Sequence, residues 1–474
     1  MEAPRVGVPI VHLNVGFVVG VLVVLLTYLV ASQKASITGL NVATTVAQWI
    51  TDKQLIKSPV VNSDVQRIAD KPLIQGSAEK GKVVYNTKGY YSETCEVDGD
   101  VRINGDVRIN GAALTVSLVP TSTSWSEHRE WRIRPYSRKT MPDVKMVTVT
   151  QLQDKAAAPA CTVAYSVPAV LFALGGLTGN FWHDFTDVLV PLFIASWRYA
   201  GEVQFLITNM RPWYPVAYKT ILQGLSKYDV VDLDDDEHVR CFPHVTVGIH
   251  QHRDLSIIPE WSPAGGRLAM PDFTRFLREV FALPRDAPAS LVRERGRRPR
   301  LLLIRRGHSR RFMNEQEILR AAEAARFEAV AMDLRRGVTV GEQARAVNSF
   351  DALLGVHGAG LTNSAFLPPG AVLIQVVPYG KMDVIATLEF GEPAKEMGLR
   401  YLDYSVTAEE STLLEMLGPE HPAIKDPDAV HRSGWDKMTE FYLDKQSVRV
   451  DIARFAPTLA QALDYLRQQS TNKQ

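Results

Sequence analysis

The hydrophobic pattern divides the chain into four regimes. Residues 15–31, VGFVVGVLVVLLTYLVA, form an apolar run without a charge. Extended back through Pro9, Ile10 and Val11, it reaches the roughly 20 residues a helix needs to cross a hydrocarbon core. The expectation is a short tail over residues 1–14 and a transmembrane anchor over 15–32; a cleaved signal peptide is the alternative. Residues 33–78 mix Thr, Ser, Lys and Asp without a period and read as a stem. A two-residue alternation then begins. The hexapeptide GDVRIN occurs twice, at residues 99–104 and 105–110. Each copy alternates apolar and polar residues beside a Gly-Asp or Asn-Gly pair, which predicts strand–turn–strand. Residues 131–136, WRIRPY, also read as extended.

From Cys161 the rhythm changes. An apolar run ends in a turn with Gly175, Gly176 and Gly179, and residues 180–199 predict an amphipathic helix. EVQFLIT predicts a strand, residues 215–227 a helix, and VVDLDDD a strand. Beyond the arginine-rich segment at 293–300, the βα alternation is clearest. Strands are expected at 301–306, 328–334, 352–357, 371–379 and 400–406, with helices at 314–326, 341–350, 361–367 and 385–397. Buried strands alternating with helices make a parallel, doubly wound sheet. The chain thus divides into an N-terminal lobe (79–292), a linker (293–300) and a C-terminal lobe (301–474).

Composition narrows the partners. Charged residues are 22% and the formal net charge is +1, so no overall field points to nucleic acid. The three cysteines, Cys95, Cys161 and Cys241, have no zinc-site spacing; one bridge and one free thiol are possible in an oxidising compartment. No Asn-x-Ser/Thr sequon is present.

Four segments can carry chemistry. In LLGVHGAGLTN a buried strand runs into a Gly-x-Gly turn and a helix start, where free N–H groups suit a diphosphate. His357, Gly358, Gly360, Thr362 and Asn363 are its candidate contacts. In IRRGHSRRFMN, Arg305, Arg306, Arg310 and Arg311 follow the first strand of the same sheet, and guanidiniums bind phosphate bidentately. GNFWHDFTD places His183, Asp184 and Asp187 on adjacent helical turns; His183 or Asp184 can take a hydroxyl proton as general base. The acidic triplet at residues 234–236 satisfies Asp-x-Asp trivially, and a solvated loop is the better reading than a Mg²⁺ or Mn²⁺ site. A dinucleotide-binding oxidoreductase does not fit: the turn lacks Gly-x-Gly-x-x-Gly, and AVLIQVVPY carries no acidic residue.

HGAGLTNSAFLPPGAVLIQVVP, GNFWHDFTD and IRRGHSRRFMN together resemble glycosyltransferase family 61, and SETCEVDGDVRING and WRIRPYSRK resemble its plant, xylan-decorating branch. The resemblance spans about residues 91–465. It implies an α/β, GT-B-like fold of two Rossmann-like lobes with a cleft, in a single-pass type II Golgi membrane protein whose catalytic domain is lumenal. It implies inverting transfer of a pentose, xylosyl in β-1,2 linkage foremost, from a UDP-pentose to xylan or xylo-oligosaccharide. No metal cofactor is expected, with Mn²⁺ the lesser possibility. Arabinofuranosyl transfer, N-glycan β-1,2-xylosylation and a non-catalytic Golgi scaffold are the alternatives. By resemblance, His357, Gly358, Gly360 and the arginines of 305–311 hold the nucleotide sugar.

Overall fold

The computed structural model describes residues 81–86, 92–104, 114–120, 128–262, 267–289, 296–334 and 337–471. The expected tail, anchor and stem lie outside them, as does the second GDVRIN copy. Among the described residues no helix is long and apolar enough to cross a membrane.

The N-terminal lobe is built on one mixed sheet. Its strands are β1 (Lys82–Asn86), β2 (Thr94–Asn104), β3 (Thr115–Val119), β4 (Arg129–Ile133), β5 (Val147–Gln151), β6 (Val163–Ala164), β7 (Ala169–Ala173), β8 (Gln204–Thr208), β9 (Val231–Asp232) and β10 (Val239–Val247). They lie in the order β4-β5-β3-β2-β10-β7-β8-β9, with β1 on β2 and β6 on β10. Only β10, β7, β8 and β9 form the continuous parallel half expected of a Rossmann-like lobe. Helices follow β7 and β8 and supply the crossovers that parallel pairing needs. β2 pairs antiparallel with β1, β3 and β10.

The first GDVRIN copy is not a strand–turn–strand. It is the second half of β2, an unbroken 11-residue strand. Gly99, at φ +129°, marks where β1 gives way to β3 along one edge. On the other edge the register with β10 shifts between Phe242 and His244. Pro243 lies there and has no N–H to give the ladder, so a bulge replaces the expected turn.

The C-terminal lobe carries five parallel strands: β11 (Arg300–Ile304), β12 (Glu328–Met332), β13 (Ala352–Val356), β14 (Val372–Val377) and β15 (Arg400–Ser405). Their order is β12-β11-β13-β14-β15. This is a doubly wound sheet whose strand order reverses between β11 and β13, the crevice where such sheets bind ligands. The terminal helix, Ile452–Thr471, places Phe455, Leu459, Ala462 and Leu466 in an apolar cluster with Leu301, Leu303 and Ile374. Short helices lie at Pro422–Lys425, Pro427–Arg432 and Trp435–Met438.

The helix after β7 departs from its amphipathic pattern. It is buried nearly all round between the two sheets, in one apolar cluster that includes Phe172 of β7, Phe205 of β8 and Leu302, Leu353 and Leu373 from the other lobe. A helix apolar on every side belongs in such a place. It starts at Asn180, whose side chain accepts from the Trp182 amide, and passes from α-helix (Phe181–His183) into π-helix (Asp184–Leu189) and back (Val190–Ser196). Pro191 accounts for the wide turn. It has no N–H for the carbonyl four residues earlier, and the Val190 amide bonds Phe185 O instead.

Candidate active site

The switch point brings two of the predicted segments together. Residues 305–314 leave the end of β11 and residues 357–360 leave the end of its neighbour β13. Gly358 has φ +130° and ψ −178°, a region essentially reserved for glycine. A Cβ there would stand 2.7 Å from Arg310 Nη1 and 3.0 Å from Arg306 Nη1. The bare glycine is what lets two guanidiniums lie against the turn. Arg310 is itself left-handed, at φ +54°. Its amide donates to Gln446 O at 2.7 Å and its Nη1 to His357 O at 3.0 Å. Its Nε is buried with no partner among the described residues. Burial draws the Arg310 pKa down from its ordinary value, yet a guanidinium stays charged. Arg306 Nε donates to Ser309 O at 3.0 Å.

The other two arginines go elsewhere. The Arg305 amide bonds Met332 O, on the β12 side, and its guanidinium grips Glu315 in a half-exposed bidentate pair. The Arg311 amide donates to Ser447 Oγ, its carbonyl accepts from the Val448 amide, and its side chain is exposed. The segment after the turn is a 3-10 helix, Ala359–Phe366, rather than an α-helix. Thr362 is wholly buried inside it, and Asn363 donates to Gly360 O at 3.0 Å. Gly360 lies against Ile304, where a Cβ would meet Cγ2 at 3.2 Å. Gly360 and Thr362 therefore shape the turn from behind.

His357 is 2% exposed and belongs to a polar chain across the sheet. Tyr401 Oη donates to Gln375 Oε1 (2.9 Å), and Gln375 Nε2 faces His357 Nδ1 (2.8 Å). With the amide so placed, Nδ1 accepts and Nε2 carries the proton. Nε2 lies 3.5 Å from Glu389 Oε2. Burial, then Arg310 and Arg306, push the imidazole pKa down to about 3, so His357 is neutral in the working range.

The N-terminal lobe contributes the third segment. Asp187 is fully buried, and its Oδ2 receives Arg138 Nε (2.8 Å), Tyr136 Oη (2.9 Å) and His183 Nδ1 (2.9 Å). Burial raises its pKa, but the His183 hydrogen bond and the Arg138 cation bring it below the carboxylate range. A charged carboxylate only accepts, so His183 Nδ1 holds the proton and Nε2 keeps the lone pair. The His183 side chain is 17% exposed. Asp184 differs. It is 2% exposed, with Oδ1 taking the Gly179 amide and Oδ2 the Tyr218 hydroxyl, both at 2.8 Å. Burial lifts its carboxyl to about 6. Both oxygens secure the Gly-rich turn and the neighbouring helix, which leaves His183 the better base.

These parts meet across the lobes. Phe185 rests on Phe366 (5.9 Å between ring centres), Trp182 on Phe390 (6.5 Å), and the Arg138 guanidinium lies 5.8 Å from the Trp182 ring. Arg138 also reaches Asp254 at 3.4 Å, and Gln251 donates to the same oxygen at 2.9 Å. Arg253 pairs with Glu396 across the lobes at 2.6 Å. Asp254, Glu389 and Tyr401 carry no motif in the sequence. Two signals were available for the others: WRIRPYSRK contains Arg138, and HGAGLTNSAFLPPGAVLIQVVP contains Gln375.

The acidic triplet is structural. Asp234 accepts from Lys145, Thr208 and the Met210 amide, and Asp236 pairs with Arg240. Among the described residues no group of three His, Cys, Asp or Glu is placed to hold a metal. Cys161 and Cys241 form a disulfide, and Cys95 is a buried free thiol.

A family model described as Glycosyltransferase 61 matches residues 181–374, which include His183, Asp187 and the segments at 304–314 and 353–363. The chain is similar to the β-1,2-xylosyltransferase XYXT1 of Oryza sativa subsp. japonica, with 42% identity over 79% of this chain and 83% of that protein. It is 41% identical to the α-1,3-arabinosyltransferase XAT3 of the same organism, over 81% of this chain and 66% of that protein. It is 31% identical to the xylan glycosyltransferase MUCI21 of Arabidopsis thaliana, over 81% and 80% respectively.

Proposed function

Because the chain belongs to the glycosyltransferase 61 family, we propose that it transfers a pentosyl group, xylosyl in β-1,2 linkage foremost, from a UDP-sugar to xylan or its arabinose side chains, with inversion. The observation that carries this reading is the meeting of an arginine-lined glycine turn with a His–Asp pair from the other lobe. The diphosphate lies against Gly358, Arg306 and Arg310. His183 Nε2 takes the proton of the acceptor hydroxyl as its oxygen bonds the anomeric carbon. The carbon–oxygen bond to the β-phosphate breaks on the opposite face, and UDP leaves with the electron pair, its charge met by the guanidiniums. Asp187 fixes the imidazole and stabilises its protonated form.

No metal enters this scheme. That Asp234 and Asp236 are engaged by Lys145 and Arg240 favours a metal-independent reaction. The two α/β lobes with their ligand residues at facing edges support a GT-B-like reading. The disulfide favours an oxidising compartment, in keeping with a Golgi-lumenal catalytic domain behind the anchor expected over residues 15–32. Arabinofuranosyl transfer is the second reading, favoured by the near-equal identity to XAT3. The test incubates the full chain with xylo-oligosaccharides and each UDP-pentose, with and without EDTA, and reads product masses. One pentose added from UDP-xylose, with EDTA inert, is the expected result. Addition from UDP-arabinofuranose alone selects the second reading, and no transfer from any donor refutes both.

A further inference from the structure

We infer that Glu389 is the residue that grips the sugar ring of the donor, through hydroxyl groups that donate to its carboxylate. The inference rests on the transferase reading above and extends it to the site of donor recognition. Glu389 lies in a second π-helical segment, Thr387–Gly391, in the helix that follows β14. Its carboxylate stands between the two halves of the site. Arg310 acts on it electrostatically from the nucleotide side, and Asp254 and Arg138 from the base side.

Its own needs are unmet. The nearest donor among the described residues is His357 Nε2 at 3.5 Å, too long for a sound hydrogen bond. Yet the side chain is only 19% exposed, and burial with the Asp254 charge lifts its pKa to about 8. A carboxylate held there for stability alone would be expected to have close donors. The Tyr401–Gln375–His357 chain instead aims one N–H toward it and stops short.

The chemistry of the absent partner follows from hydrogen-bonding capacity. A phosphate oxygen brings no hydrogen to the acceptor oxygens of Glu389, whereas the Arg310 guanidinium attracts one. The group next to the diphosphate must therefore be neutral and rich in donors, which describes a sugar ring with free hydroxyls. His357 Nε2 and Glu389 then present one donor and up to four acceptor sites to it.

The test uses the full chain and the variants Glu389→Gln and Glu389→Ala, with thermal unfolding as the check on folding. Calorimetry measures the affinity for UDP and, without acceptor, for UDP-xylose and UDP-arabinofuranose; initial rates are measured where there is transfer. The expected result is UDP affinity within about twofold of wild type. The extra affinity that the sugar gives over UDP alone disappears, and kcat/KM for the donor falls about 10- to 100-fold, the scale of hydrogen bonds to a charged group. The isosteric Gln variant keeps the fold and falls between. Unchanged donor binding in Glu389→Ala overturns the inference, as does a parallel loss of UDP affinity. A wild-type chain that transfers nothing defeats the transferase reading, while the binding comparison still decides Glu389.

Discussion

Both lobes put their functional residues at the carboxyl ends of parallel strands, but they build them from different materials. The C-terminal lobe uses backbone and cations. A glycine with no allowed substitute lies under two guanidiniums, one of them on a left-handed residue. The N-terminal lobe uses side chains that satisfy each other. Three donors converge on one oxygen of Asp187, and a single ring nitrogen of His183 is left over. The first arrangement suits a ligand that is already charged. The second suits a proton that has to move. The difference shows that one fold principle places both sites while local chemistry assigns the work.

Three substitutions press on that difference. His183→Ala removes the proton acceptor and leaves the C-terminal turn intact. Transfer should fall about 10²- to 10⁴-fold with UDP affinity unchanged, as read by rates and calorimetry. A loss of UDP binding in step would mean that the two sites are not separable. Arg138→Met leaves the Asp187 carboxylate buried with its main cation gone. Denaturant unfolding should show a loss of about 3–5 kcal/mol, and an effect under about 1 kcal/mol would mean that Asp187 is held by Tyr136 and His183 alone. Gly358→Ala strains the backbone by about 1–3 kcal/mol and pushes Arg310 aside. UDP affinity should weaken about tenfold or more while the His183 side of the site is untouched. Wild-type affinity in that variant would place the diphosphate elsewhere.

How legible each lobe was in the sequence follows from the same contrast. The three central strands of the C-terminal sheet, β11, β13 and β14, are nearly continuous buried apolar runs, because both faces are covered. Their order alone puts His357, Gly358 and Arg310 on one edge. What the spacing does not reveal is the direction of each arginine. Arg305 is one residue from Arg306, yet it bonds Glu315 on the β12 side. In the N-terminal lobe, His183 and Asp187 were legible as a pair four residues apart. Arg138 and Asp254 were not, because they stand 49 and 67 residues from Asp187 and meet it only through the way β4 and β10 enter the sheet. Glu389 had no signature at all, since a lone glutamate in a helical pattern reads as a solvated face. The π-turn was foreshadowed only by Pro191 inside an otherwise regular helix.

The helix between the sheets also governs traffic. Phe185 and Phe193 on that helix, with Phe273 and Phe366 around it, belong to a single apolar cluster held in common by both lobes. Swinging the sheets apart would wet those rings, each at a cost of about 1.5–3 kcal/mol. Admission of donor and escape of spent nucleotide therefore fall to the rim, to the Gly-rich turn at 174–180 and the arginine loop at 305–311. Loop excursions at the rim, which run on microsecond to millisecond times, are cheaper than parting the two sheets.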